Sequence, residues 1–306
     1  MAIKLGTTTI GGMRLGSTEI TKAYLGSTEI YTSITDGILD LYSAPAAAYS
    51  LRSLSVSPSS FTSSGDTDGD TSGAWVVQVR RSSDDNLKSF TASELSDGTL
   101  TTWTSANDAF ISIWYDQSSN ANHTTDGGDS SEPKIVDAST GLIVDSGGKP
   151  AAEFDGSDDY LDLSTAFSTT TGTLFTVANL STADSGQTIL GGGNVILPYL
   201  SKNSTSSLLW STVFNLSVSG VYVDGASQSW ANRGDAYTAI VTDSQVLMAL
   251  EGVDTDGHNI ERLGAGQTGS SVEANGTISE IIIYSSDQSS NRAAIESDIN
   301  SHYGIY

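Results

Sequence analysis

The chain has 306 residues, with 36 acidic and 13 basic side chains and a formal net charge of −23. That balance repels nucleic acid and anionic membranes, and no apolar run approaches the ~20 residues of a membrane helix. Cysteine is absent, which excludes disulfides and thiolate chemistry and fits assembly in a reducing cytoplasm.

Gly, Ser, Thr, Asp and Asn are abundant and Lys is sparse, the composition of many short strands joined by polar turns. The start, Met-Ala-Ile-Lys-Leu-Gly, lacks an apolar signal core, so Sec export is not expected. Residues 1–31 carry an internal repeat with a period of ten. Leu5-Gly6, Leu15-Gly16 and Leu25-Gly26 align, as do Thr8, Thr18 and Thr28, then Ile10, Ile20 and Ile30. A ten-residue unit is expected to be one short strand and one turn, too small to bury its own apolar face. Leu5, Ile10, Leu15, Ile20, Leu25 and Ile30 are therefore candidates for docking or oligomerisation. A β-meander attached to the main domain is the alternative. The twice-used Leu-Gly-Ser-Thr-Glu-Ile unit resembles short repeats at the N-termini of many tailed-phage structural proteins, where such units often precede a lectin-like sandwich.

Residues 32–306 read as one β domain. Ile38, Leu39, Leu41, Tyr42 and Tyr49 offer its first core contacts, and Pro45 interrupts any helix. In the glycine loop at 63–73, Asp66, Asp68 and Asp70 alternate, a hard-oxygen pattern that suits calcium. A solvated loop is the other reading, because the twelfth-position Glu and flanking helices of an EF-hand are missing. Trp75 to Arg81 reads as a strand. Arg80 and Arg81 stand beside Asp84 and Asp85, an ion-pair cluster that fixes the strand end.

Ile111 to Trp114 alternate as a strand and feed a turn holding Asp116, Gln117, Asn120, Asn122 and His123. An aromatic strand end running into a dense polar turn can present a ligand surface. Trp103, Trp114 and Tyr115, with Trp210 and Trp230, are candidates to stack on sugar rings. Asp116, Asn122 and His123 are candidates to contact hydroxyls. Core packing of the tryptophans and a structural role for His123 are the competing readings.

Four motifs then occur in one order: Tyr49-Ser-Leu-Arg52; Val79-Arg-Arg-Ser-Ser-Asp-Asp85; Trp114-Tyr-Asp-Gln-Ser118 with Asn122-His123; and Lys149-Pro-Ala followed by Phe154-Asp-Gly-Ser-Asp-Asp-Tyr160. Over residues 38–163 the chain resembles the catalytic-domain family of fungal-type α-L-arabinofuranosidase B. The resemblance implies an all-β fold, a concanavalin/LamG-like jelly-roll β-sandwich. The same module recurs in phage and bacterial proteins.

Further strands are expected at 173–180, 187–194, 218–223, 237–241, 245–250 and 277–284, the last being the most apolar and therefore central. One helix is expected over 287–304, capped by Asp287 or Ser289 and stopped by Gly304, with Ile295, Ile299 and Tyr303 on one face. His123, His258 and His302 are scattered, and Asp254 to His258 form an acidic turn.

A retaining glycosidase needs two carboxyl groups roughly 5–5.5 Å apart. The resemblance implies a nucleophilic Glu in a Val-Asp-Met-Glu-Asn strand and an acid Asp in a Gly-Gly-Asp-Asn turn. Between Thr188 and Trp210 this chain has no acidic residue, and from Leu263 to Thr277 it has Glu273 alone. No catalytic residue carries over, so the sequence is expected not to be an enzyme. The expected function is a phage virion surface protein: a head fibre, decoration protein or tail fibre. The repeat would attach it to capsid or tail proteins, with the sandwich displayed outward. Self-association is expected, a homotrimer being natural for a fibre. It would assemble in the host cytoplasm, and a host surface glycan is a candidate ligand. Calcium is the one candidate cofactor. The alternative is a glycoside hydrolase of α-L-arabinofuranosidase type.

Overall fold

The structure is a computed structural model. It describes residues 4–306 except 6–7, 10–13, 16–17, 20–21, 26–27, 33–36, 64, 68–71, 194, 210–216 and 267–271; for 4–32 and for 126 it describes the backbone. The repeat forms three separate hairpins: β1 (Lys4–Leu5) with β2 (Thr8–Thr9), β3 (Arg14–Leu15) with β4 (Thr18–Glu19), and β5 (Lys22–Leu25) with β6 (Thr28–Thr32). Leu5 pairs with Thr8, Leu15 with Thr18 and Leu25 with Thr28. Each ten-residue unit is therefore two short strands closed on themselves, where one strand and a turn were expected.

The main domain begins with α1 (Ile38–Leu41), β7 (Ala47–Ser50), the hairpin β8 (Phe61–Thr62) and β9 (Ser72–Gly73), then β10 (Trp75–Arg81) and β11 (Leu87–Thr91). Two short helices, α2 (Ala92–Ser96) and α3 (Thr99–Thr104), lead to β12 (Ala109–Trp114), β13 (Thr124–Asp126), β14 (Lys134–Asp137), β15 (Gly141–Leu142), β16 (Ala152–Asp155), β17 (Leu161–Phe167) and β18 (Gly172–Leu180). There follow β19 (Gly186–Gln187), β20 (Leu190–Gly192), β21 (Val195–Leu197), β22 (Leu200–Ser201), β23 (Gly220–Val223), β24 (Ala226–Ser227), α4 (Arg233–Ile240), β25 (Val246–Val253), β26 (Ile260–Leu263), β27 (Asn275–Tyr284) and α5 (Arg292–Tyr303).

Two layers result. The large sheet runs β11-β10-β12-β14-β16-β27-β18-β25-β23-β24, with β15 beside β14 and β7 beside β27; the small sheet runs β13-β17-β26-β20-β21. All described pairings in both sheets are antiparallel, and the all-β sandwich expected from the sequence is the fold observed. As expected, β27 is central, hydrogen-bonded to β16 and β7 along one edge and to β18 along the other.

The near-continuous apolar runs of β18, β25 and β27 follow from covering both faces of the large sheet. Leu174, Met248, Leu250, Ile281 and Ile283 enter the core between the sheets. Phe175, Leu247, Ala249, Ile282 and Tyr284 point the other way, against Ile38, Ile295, Ile299 and Tyr303 of the helices. Fully burying an Ile such as Ile295 or Ile299 stabilises the fold by ~1.5–3 kcal/mol.

Two local expectations change. Tyr237 to Ile240 lie in α4, where a strand was expected. Asn232 caps that helix by accepting from the Asp235 N–H (3.0 Å), and the Asp235 carboxylate accepts from the Ala231 N–H (2.8 Å). This end chemistry outweighs the short apolar run. Helix α5 starts at Arg292 rather than near 287, because the Asp287 carboxylate turns to the Ser289 N–H (2.8 Å). Gly304 ends α5 in the left-handed conformation (φ 66°), as expected. Among the described residues no helix is long and apolar enough to cross a membrane.

Candidate functional site

The turn between β16 and β17 reads Asp155-Gly-Ser-Asp-Asp-Tyr160. Gly156 takes a positive φ of 77°, which lets the chain reverse. The Asp155 carboxylate accepts from the Ser157 N–H, and the Asp159 carboxylate accepts from the Asp155 N–H, both at 2.8 Å. These bonds gather the side chains: an oxygen from each of Asp155, Asp158 and Asp159 lies within 4.8 Å of the others.

Sheet register brings a fourth carboxyl to this turn. Asp155 pairs with Asn275 across β16–β27, and Leu161 pairs with Leu263 across β17–β26. Glu273, two residues before Asn275, therefore lies at the same end of the sandwich, where the charges of Asp155 and Asp158 act on it. The Asn275 side chain donates to Asp184 of the β18–β19 connection.

The electrostatics divide these acids. Asp159 is only 7% exposed. Burial and then the charge of Asp155 push its pKa up to about 7. Glu273 is also raised above its ordinary value, by burial first and then by Asp155 and Asp158. Asp155 and Asp158 are solvent-exposed. Burial thus favours the protonated form of Asp159, within 4.8 Å of the exposed carboxylates of Asp155 and Asp158. The same three oxygens could also hold a hard cation in the proton's place.

The residues favoured by the sequence lie elsewhere and face inward. Trp114 and Asp116 have no exposed surface, and Tyr115 has almost none. The Asp116 carboxylate accepts from the N–H groups of Ala48 (2.7 Å), Ser118 (2.9 Å) and Asn122 (2.8 Å) and from the Ser118 hydroxyl (2.6 Å). Asn122 ties the turn to β17 through the Thr165 N–H and carbonyl, each at 2.8 Å. His123 accepts the Asp116 N–H at Nδ1 (3.1 Å), and burial lowers its pKa against the opposing charge of Asp116. Its ring packs edge-on against Phe61 and Tyr115. Trp103 is half-buried, edge-on to Phe90 (5.5 Å), with the Arg81 guanidinium 4.7 Å from its ring. Burial of Trp114, Tyr115, Asp116 and Asn122, and the internal bonds of this turn with half-buried His123, tie β7 to β17 across the two sheets.

Asp66 accepts from the Gln78 side chain (2.6 Å) and the Ser89 N–H (2.9 Å), so it faces the large sheet. Asp68 and Asp70, the other residues of the expected calcium loop, lie outside the described residues, as do Ile10 and Ile20. Leu5, Leu15, Leu25 and Ile30 lie in the hairpin strands. Arg80 bonds Glu132 (2.6 Å) and Asp85 (2.9 Å), and Arg81 bonds Asp84 (2.6 Å), an ion-pair cluster at the β10 end.

No protein-family model and no curated protein matches this sequence. Solved structures do match. One is a glutamate-to-glutamine mutant of a GH54 α-L-arabinofuranosidase soaked with 4-nitrophenyl α-L-arabinofuranoside, with a TM-score of 0.56 and 16% identity. Another is an arabinofuranosidase complexed with arabinofuranosyl-α-1,2-xylobiose, with a TM-score of 0.51 and 16% identity. The chain shares their β-sandwich fold. Each match covers 87% of this chain and 65% of the other, so the chain spans less than two thirds of those proteins.

These neighbours overturn the expectation of a phage virion protein without catalysis: both are arabinofuranosidases, and no virion protein stands beside them. The segments where the resembled family keeps its carboxylates lie elsewhere in the sequence, and the approach of Asp155-Gly-Ser-Asp-Asp159 to Glu273 depends on sheet register. The local density of acids was the available signal.

Proposed function

We propose that this chain is a glycoside hydrolase acting on α-L-arabinofuranosides at the acidic cluster of the β16–β17 turn, beside Glu273. The observation that carries the reading is the grouping of Asp155, Asp158 and Asp159 within 4.8 Å, with Asp159 pushed up to about 7. Glycosidic cleavage needs a proton donor beside a second carboxylate, and close spacing suits the retaining route through a covalent intermediate. Asp159 serves as the proton donor. Asp158, exposed and adjacent, serves as the nucleophile. The shared fold of arabinofuranosidases supports arabinofuranose as the sugar.

The test is release of 4-nitrophenol from 4-nitrophenyl α-L-arabinofuranoside. Turnover is expected to fall as pH rises through about 7, because Asp159 then loses the proton it must donate. Asp159→Asn should lower kcat by roughly 10²–10⁴-fold. No release by the wild-type chain across the acidic and neutral range, or full activity in Asp159→Asn, would sink the reading.

A further inference from the structure

Two cavities adjoin on the side of the large sheet where β10 and β11 meet the segment after β7. The first, about 290 Å³, has an apolar wall of Phe61, Trp75 and Val76 with hydroxyls from Ser59, Thr91 and Ser93. The second, about 200 Å³, is lined by Arg52, Lys149, Pro150, His302 and Tyr303, with Ser96 at its side. Ser53 and Ala92 line both, so the two form one groove with an aromatic end and a basic end.

Three basic side chains converge on the second cavity in a chain with 13 basic and 36 acidic residues. Arg52 is engaged by Glu280 (2.8 Å) and Asp298 (2.9 Å). The acids acting on His302 are Glu280 and Asp145. Asp145 is occupied too, accepting from the Gly147 and Lys149 N–H groups (2.9 Å each) and from the Gln245 side chain (2.6 Å). Burial, then Arg52, holds His302 down to about 4, so at neutral pH it contributes hydrogen bonding rather than charge. The Lys149 ammonium makes no ion pair among the described residues. It is a cation without a counter-ion beside an apolar, hydroxyl-rimmed slot.

We propose that this groove binds an acidic oligosaccharide, with a uronic acid seating its carboxylate at Lys149 and the C–H face of a neighbouring ring packing on Phe61 and Trp75. The ligand is a short acidic oligosaccharide rather than a long polyanion, because a chain of net charge −23 repels extended negative charge at range. Ring faces suit an aromatic wall, and a carboxylate suits a lysine point charge. Lys149 and Pro150 precede the start of β16 and the acids follow from its far end at Asp155, and none of Asp155, Asp158, Asp159 and Glu273 lines either cavity, so the groove is distinct from the acidic cluster and does not depend on glycosidase activity.

Calorimetric titration of the full chain with tetragalacturonate, and with its methyl ester as the neutral control, tests this. The acid is expected to bind at least about tenfold tighter than the ester. Lys149→Gln should bring the acid down to the level of the ester and leave the ester unchanged. Phe61→Leu should weaken both ligands, with an unchanged circular-dichroism spectrum below its melting transition confirming the fold. Failure of tetragalacturonate to bind the wild-type chain at millimolar concentration overturns the proposal, as does Lys149→Gln binding it as tightly as wild type. A chain that binds the acid but releases no 4-nitrophenol from the arabinofuranoside leaves this inference standing while the catalytic reading falls.

Discussion

Asp116 binds four donors with one buried carboxylate, and Ala48, one of those donors, is 68 positions earlier in the chain. Replacing it with Ala leaves those donors without a partner in the interior. Asp116→Ala is expected to cost about 3–5 kcal/mol in urea unfolding, with Asp116→Asn milder because one amide oxygen still accepts. A loss under about 1 kcal/mol would show that the turn does not join the sheets. The polar turn was legible in the sequence, but its inward direction was not, because local spacing says nothing about a partner so distant. Asp159 gives a second prediction at this scale. Its folded pKa lies above the ordinary 3.8, so the folded state binds more protons than the unfolded chain between 3.8 and about 7. Stability therefore falls as pH rises through that window. Asp159→Asn should flatten the fall in melting temperature; an unaltered slope would place the proton elsewhere.

Strands declared themselves where both faces are covered, as in β18, β25 and β27, because continuous apolar runs bounded by turns leave few alternatives. Helix α4 did not, since its signal lies in the Asn232 and Asp235 end bonds rather than in periodicity. Close approach within an element is equally hidden from pattern reading. Gly276 sits in β27 with φ 127°, and an added Cβ would meet the Asn179 carbonyl oxygen of β18. Gly276→Ala is expected to destabilise the sandwich by about 1–3 kcal/mol, read from the shift in denaturation midpoint. An unchanged midpoint would mean that β18 and β27 can separate there at no cost.

At the scale of the molecule, the net charge of −23 acts on every surface carboxylate together. Self-repulsion is screened once the Debye length falls to about 8 Å near 0.15 M salt, so the melting temperature should rise as sodium chloride is added from low concentration. A flat response would mean that local ion pairs already neutralise the field. Composition and the four ordered motifs made the sandwich legible. The acidic cluster was not, because it forms only when the turn at 155–160 and Glu273, more than a hundred positions later, meet at one end of the folded sheets.

The large sheet has its own timetable. β7 is hydrogen-bonded to β27, with Ala47 paired to Ile283 and Ser50 to Glu280. A ribosome adding roughly 5–20 residues per second needs on the order of ten to fifty seconds to travel between those partners. During that interval β7, β16 and β18 wait with open edges for a strand not yet synthesised. The nascent chain depends on its abundant acids and polar turns to keep those edges from pairing with a neighbour, and anything that shortens the wait or shields the edges should raise the yield of native protein.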